Sequence, residues 1–238
     1  MNIQLEEDIH EQLLPYMLNW EKVRSKISAI DNQILQTGNV TVRNKLHYAL
    51  MHWTILGQAY RVSGSATSLV QRAMTENIIL NLVSSLEAFA HVINQIYNFQ
   101  LKPRGVAIDH LPNHKRSKKK CLRCELRGHD DQLAEYLDSE LVRDSTPPHN
   151  WYESLVRYRH QIVHRTLFLI NQRVGEGSFL PDDPFDLTPS KMYYDNEKNM
   201  PVITNYTENR EVREYTLYLF ERVFRVVEAS YHHLYTNL

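Results

Sequence analysis

The chain has 238 residues, 42% of them apolar, with 27 Lys and Arg against 28 Asp and Glu and a formal net charge of −1. That length suffices for one sizeable core, or for a core with a helical extension. Seven glycines are too few for a turn-rich all-β or Rossmann design, two cysteines do not make a secreted disulfide scaffold, and there is no run of about 18 apolar residues to span a membrane.

The opening MNIQLEEDIHEQ is polar and acidic and lacks the apolar region of a signal peptide, which predicts a soluble, reducing, cytoplasmic setting. Residues 4–37 read as an amphipathic helix, with Leu5, Ile9, Leu13, Met17, Trp20, Val23, Ile27, Ile30 and Ile34 along one stripe. Pro15 predicts a kink or break inside it, and Thr37-Gly38-Asn39 predicts its end. A second helix is expected over 40–62, with Leu46, Leu50, Trp53, Ile55 and Leu56 inward, followed by a turn at Ser63-Gly64-Ser65.

The third predicted helix, 66–99, is the most apolar of the chain. Ile78, Ile79, Leu82, Val83, Leu86, Phe89, Ala90, Ile93, Ile96 and Tyr97 cover a wide face, as a helix central to a bundle requires. Glu76 and Glu87 lie within it. Glu87 reads first as a boundary residue paired to solvent or a lysine, and second as a carboxylate that orients Arg159 or His164 across the bundle.

Residues 100–130 carry no sustained period and hold Pro103, Gly105, Pro112 and Gly128, so a long loop is expected. A short helix follows over 131–143. Asn150 is placed to N-cap the next helix, with Glu153 at the capping-box position. That helix begins at Trp151 in the stretch WYESLVRYRHQIVHRTLFL, where Leu155, Ile162, Val163, Leu167 and Ile170 recur at helical spacing. Residues 175–189 read as loop. Met192-Tyr193-Tyr194 and Val202-Ile203-Thr204 flank a polar run, which predicts a small β-hairpin. The last helix is expected over 209–235, with Val212, Tyr215, Leu219, Val223, Val226 and Val227 on one face and Tyr231 and Leu234 continuing it.

The chemistry concentrates on the helix that begins at Trp151. Arg159 is followed by His160 and, four residues beyond that, by His164. An arginine stays charged and offers phosphate oxygens a planar fork; a histidine titrates near neutral pH and serves as general acid or base. Arg159-His160-Gln161-Ile162-Val163-His164 resembles the Arg-x4-6-His signature of the HEPN superfamily (higher eukaryote and prokaryote nucleotide-binding domains), with His160 in its polar second position. The resemblance covers roughly residues 70–238. It implies an all-α, up-and-down helical bundle, here taken as 63–238, with residues 1–62 as an N-terminal helical extension packed on it and the hairpin as an insertion.

The resemblance further implies a metal-independent endoribonuclease that uses no cofactor and acts as a homodimer, the motifs of both subunits meeting in one cleft. His164 then moves the 2′-hydroxyl or leaving-group proton, Arg159 holds the phosphorane charge, and His160 assists. Helical geometry agrees with an interface cleft: five residues turn about 500°, which leaves Arg159 and His164 roughly 140° apart in azimuth. A zinc site on this helix is disfavoured, because Gln161 stands where a zincin has its glutamate and no third ligand falls at an expected spacing. In toxins of the family that sit beside a nucleotidyltransferase antitoxin, a modifiable tyrosine often follows the histidine by two residues. Here that position is Thr166, after Arg165, so silencing by that route is not expected.

The segment from His114 to Arg127 carries seven Lys or Arg and one Glu, a local charge of +6 that leaves the rest of the chain at −7. Lys115, Arg116, Lys118, Lys119, Lys120 and Arg123, with Arg165 on the motif helix, are the expected RNA contacts; the other reading is a solvated basic loop. Within this segment Cys121-x2-Cys124, with His129 near in sequence, is half of a structural zinc signature, against the plainer reading of two reduced thiols. Three readings therefore stand: an endoribonuclease, a non-catalytic module binding nucleic acid or a protein partner, and a purely structural helical protein. An antitoxin or regulatory protein as partner, and a toxin or defence role, rest on the family resemblance.

Overall fold

A computed structural model describes residues 33–59, 65–102, 106–108, 121–143, 149–164, 171–173, 177–180, 192–195, 200–203 and 210–237. This part is predominantly helical. Its helices are α1 (Gln33–Ala59), α2 (Ser65–Ile96), α3 (Leu122–Leu126), α4 (Asp131–Glu140), α5 (Trp151–His164) and α6 (Val212–Asn237). The short strands are β1 (Asn171–Arg173), β2 (Gly177–Leu180), β3 (Met192–Asp195), β4 (Met200–Ile203) and β5 (Arg210–Glu211). β2 runs antiparallel between β1 and β5, and β3 pairs antiparallel with β4, Met192 opposite Ile203. Among the described residues no helix is long and apolar enough to cross a membrane.

One core joins all six helices. α2 supplies Ile78, Ile79, Leu82, Leu86, Phe89 and Ile93, and α6 supplies Leu219, Val223, Val226, Val227, Tyr231 and Leu234, all buried. Both stripes follow the 3.6-residue period of an amphipathic helix, and each fully buried Leu, Ile or Phe adds about 1.5–3 kcal/mol of transfer free energy. Leu46, Leu50 and Leu56 of α1 belong to the same cluster. The predicted stripe of residues 4–32, with the kink at Pro15, lies outside the described residues.

α1 runs through Thr37-Gly38-Asn39, where an end was expected. Gly38 serves close packing instead: a Cβ there would come within 2.8 Å of Val92 Cγ2 on α2. Asn39 is buried, and its Oδ1 accepts the Tyr231 hydroxyl at 2.6 Å, tying α1 to α6.

α2 ends at Ile96 because Asn98 turns left-handed, φ 51°. The Phe99 N–H then reaches Asn94 O at 3.1 Å and the Asn98 N–H reaches Gln95 O at 3.2 Å, the two bonds of a Schellman termination. The expected long loop over 100–130 is interrupted by α3, whose Leu122 and Leu126 are fully buried. Gly128, φ 102°, makes the turn to α4, and Asp130 caps α4 by accepting the Leu133 N–H at 2.9 Å.

Candidate functional site

Asn150 N-caps α5 as its position predicts: its Oδ1 accepts the Glu153 N–H at 2.9 Å. Glu153 is itself buried, with Oε2 3.2 Å from Arg143 Nε and Oε1 3.8 Å from Arg157 Nη1. Trp151, Leu155 and Tyr158 seat one face of α5 in the core, and Arg222 of α6 lies 5.4 Å over the Trp151 ring. The first three turns of α5 are thus fixed; in its last turn Gln161 is buried and Ile162 packs on the core, while Val163 and His164 are exposed. Val163, placed by its spacing on the packed stripe, is 51% exposed there. Leu167 and Ile170 lie outside the described residues.

Arg159 sits where α5 leaves the core. Its Nη2 lies 3.4 Å from Glu87 Oε1 on α2, with the two side chains 39% and 51% exposed. Glu87 therefore faces the motif arginine, rather than solvent or a lysine alone. His160 and His164 are both exposed, and their rings pack one turn apart in a tilted arrangement, 4.5 Å between centroids and inclined at 48°. The structure thus shows two separate contacts toward the C-terminal end of α5, Arg159 with Glu87 and His160 with His164. Arg159 turns to α2 and His164 to His160, in keeping with the azimuthal separation of the two motif residues.

Arg123, expected to contact RNA, does not lie on a phosphate-binding surface. Its side chain is 0% exposed; Nη1 donates to Asp138 Oδ1 at 2.7 Å, and Nη2 to Leu137 O at 3.3 Å. The end of α4 supplies acceptors to both Arg123 Nη groups, Leu141 O lying 3.5 Å from Nη2. Arg127, half exposed, pairs with the other oxygen of Asp138. Lys115, Arg116, Lys118, Lys119, Lys120 and Arg165, and with them Thr166, lie outside the described residues.

Cys121 and Cys124 are bonded to each other through sulfur, which replaces both the zinc reading and the reduced-thiol reading. His129 does not join them: its ring packs edge-on against Phe99 at 5.0 Å, and its Nδ1 lies 2.8 Å from Glu125 O. Among the described residues no group of three or more His, Cys, Asp or Glu is placed to hold a metal ion.

A second polar cluster escaped the sequence reading. Asp130 receives the Tyr97 hydroxyl, and His233 Nε2 of α6 lies 2.8 Å from its Oδ2. Burial pushes the Asp130 carboxyl up, but the hydrogen bonds from Tyr97, the Leu133 N–H and His233, together with the charge of His233, hold it below its ordinary value. Burial, followed by that hydrogen bond and the Asp130 charge, raises the Tyr97 hydroxyl well above its ordinary value. These partners are 33 and 103 residues from Asp130 in sequence, too far apart for any local pattern to reveal.

Comparisons of the chain with models of known families, with curated proteins and with solved structures found no match.

Proposed function

We propose that this chain is a metal-independent endoribonuclease built on a HEPN-like up-and-down bundle and active as a homodimer. The observation that carries the reading is the C-terminal part of α5, where Arg159 meets Glu87 and the exposed His160 and His164 pack against each other. An exposed imidazole can take the 2′-hydroxyl proton as the oxygen attacks the adjacent phosphorus. A second imidazole, His164 of another copy, returns a proton to the departing 5′-oxygen. Arg159 holds the charge of the phosphorane, and a phosphate takes the place of Glu87 at its guanidinium. The products are a 2′,3′-cyclic phosphate and a 5′-hydroxyl, and no cofactor enters. Within this reading the run Lys118–Lys120, with its neighbours Lys115 and Arg116, contributes phosphate contacts, and so does Arg165.

The same Glu87–Arg159 pair favours a second reading, a non-catalytic module that binds nucleic acid or a protein partner, because the guanidinium already holds a carboxylate. An antitoxin or regulatory protein would belong to either reading.

The test is incubation of purified protein with mixed RNA in EDTA, beside His164→Ala matched for fold by circular dichroism. Cleavage by the wild type, leaving cyclic phosphate ends, with a loss of about 10²–10⁴-fold in the variant, is the expected result. Salt-sensitive RNA binding without cleavage would transfer the case to the binding module.

A further inference from the structure

Cys121 is buried, 5% exposed, and Cys124 is exposed. Their sulfurs are bonded across a Cα–Cα distance of 5.1 Å, inside the usual span of about 4.4–6.8 Å. The Cys124 N–H also donates to Cys121 Sγ at 3.2 Å. The Arg123 guanidinium between them in sequence is committed to Asp138, and Leu122 and Leu126 anchor the helix on either side. The two sulfurs therefore differ in kind: one is open to attack, and the other is sheltered with an N–H directed at it.

We infer that Cys121 and Cys124 form a thiol–disulfide exchange site whose incoming reactant is an external thiolate, with Cys124 as the attacked sulfur and Cys121 as the leaving group. The thiolate bonds to Cys124 Sγ, the internal S–S bond breaks, and its electron pair leaves on Cys121 Sγ. The Cys124 N–H stabilises the charge there, and a lower leaving-group basicity speeds the exchange. A second external thiolate then attacks the mixed disulfide and releases Cys124 as thiolate. The external pair leaves as its own disulfide, oxidised by two electrons, while the protein dithiol gains two electrons and two protons. This site is independent of the ribonuclease reading.

The experiment uses the full chain with glutathione as the thiol, read by intact mass. Reduced wild type mixed with oxidised glutathione should lose two hydrogens and retain no glutathione. Cys121→Ser, whose hydroxyl keeps the cap on Leu122–Leu126, should accumulate one glutathione on Cys124. Cys124→Ser should react at least about tenfold more slowly at the sheltered Cys121. Circular dichroism of both variants accompanies the rates. Equal rates in the two variants, or two glutathiones on the wild type with no internal bond, would overturn the assignment. So would one equivalent of zinc on the isolated protein whose removal by a chelator is required before either sulfur reacts.

Discussion

Arg123 and Arg159 each meet a carboxylate across a pair of helices, yet the two contacts are built in opposite ways. Arg123 is fully buried, 2.7 Å from Asp138, and shared with the carbonyl of Leu137. Arg159 and Glu87 stand 3.4 Å apart with both side chains well exposed. Water screens the second pair, so it contributes about 0–1 kcal/mol and costs little to exchange for another anion. The first cannot be exchanged, because losing Asp138 strands the Arg123 guanidinium away from water. A guanidinium's work is thus set by what surrounds it. The end of α4 makes Arg123 part of the frame, and the exposed end of α5 leaves Arg159 available to a ligand.

The largest expected effect separates these two arginines directly. Asp138→Ala leaves the buried Arg123 guanidinium without its carboxylate and should lower unfolding free energy by about 3–5 kcal/mol. Arg159→Ala should change it by less than about 1 kcal/mol. Urea unfolding monitored by circular dichroism measures both. Similar losses in the two variants would erase the distinction drawn between the two regions.

Much of the frame could be read before any coordinates, and the reason is periodicity. The apolar residues of α2 and α6 repeat at helical spacing over 32 and 26 residues, long enough for the pattern to exceed chance. Asn150 was legible because an N-cap acts on neighbours three residues away. Features that depend on distant partners were not. Gly38 reads as a helix stop, and the close approach of Val92, 2.8 Å from where a Cβ would sit, is what the sequence could not show. α3 spans five residues, too few for a period to register. Arg123 counted as a basic residue in a basic segment, and Asp138, 15 residues on, decides otherwise. At the candidate site the motif helix was legible, and the partner of Arg159 came only as the second of two readings of Glu87.

The next effect tests whether a second buried contact behaves like that of Arg123. Asp130 joins Tyr97 of the α2 terminus to His233 of α6. Its carboxyl is held below its ordinary value in the folded chain, so it contributes stability above the unfolded-state value. That contribution is lost as pH falls through the depressed folded value. Asp130→Asn should cost about 1.5–3 kcal/mol at neutral pH, the range for hydrogen bonds to a charged group. In urea unfolding as a function of pH, the gap between wild type and variant should shrink as pH falls below the ordinary carboxylate value of about 4 toward the depressed folded value. A gap that persists unchanged in acid would show that the carboxylate charge is not what ties the helices together.

The smallest effect on stability falls at Glu87, and there the contrast is sharpest. Glu87→Gln removes a charge that faces Arg159 from an exposed position, so unfolding free energy should move by less than about 0.5 kcal/mol. Binding should respond in the other direction. With the carboxylate gone, the guanidinium has no anion to give up before it meets a phosphate, and the repulsion between Glu87 and the RNA backbone disappears. Since the exposed pair contributes at most about 1 kcal/mol, RNA affinity should rise by no more than about fivefold. Measured in a His164→Ala background so that the strand stays intact, the gain should be largest at low salt and shrink as salt screens the site. Weaker binding in Glu87→Gln, matching that of Arg159→Ala, would mean that the carboxylate positions the arginine. The pair would then belong with Asp138 and Arg123 as a fixed element, however exposed it is.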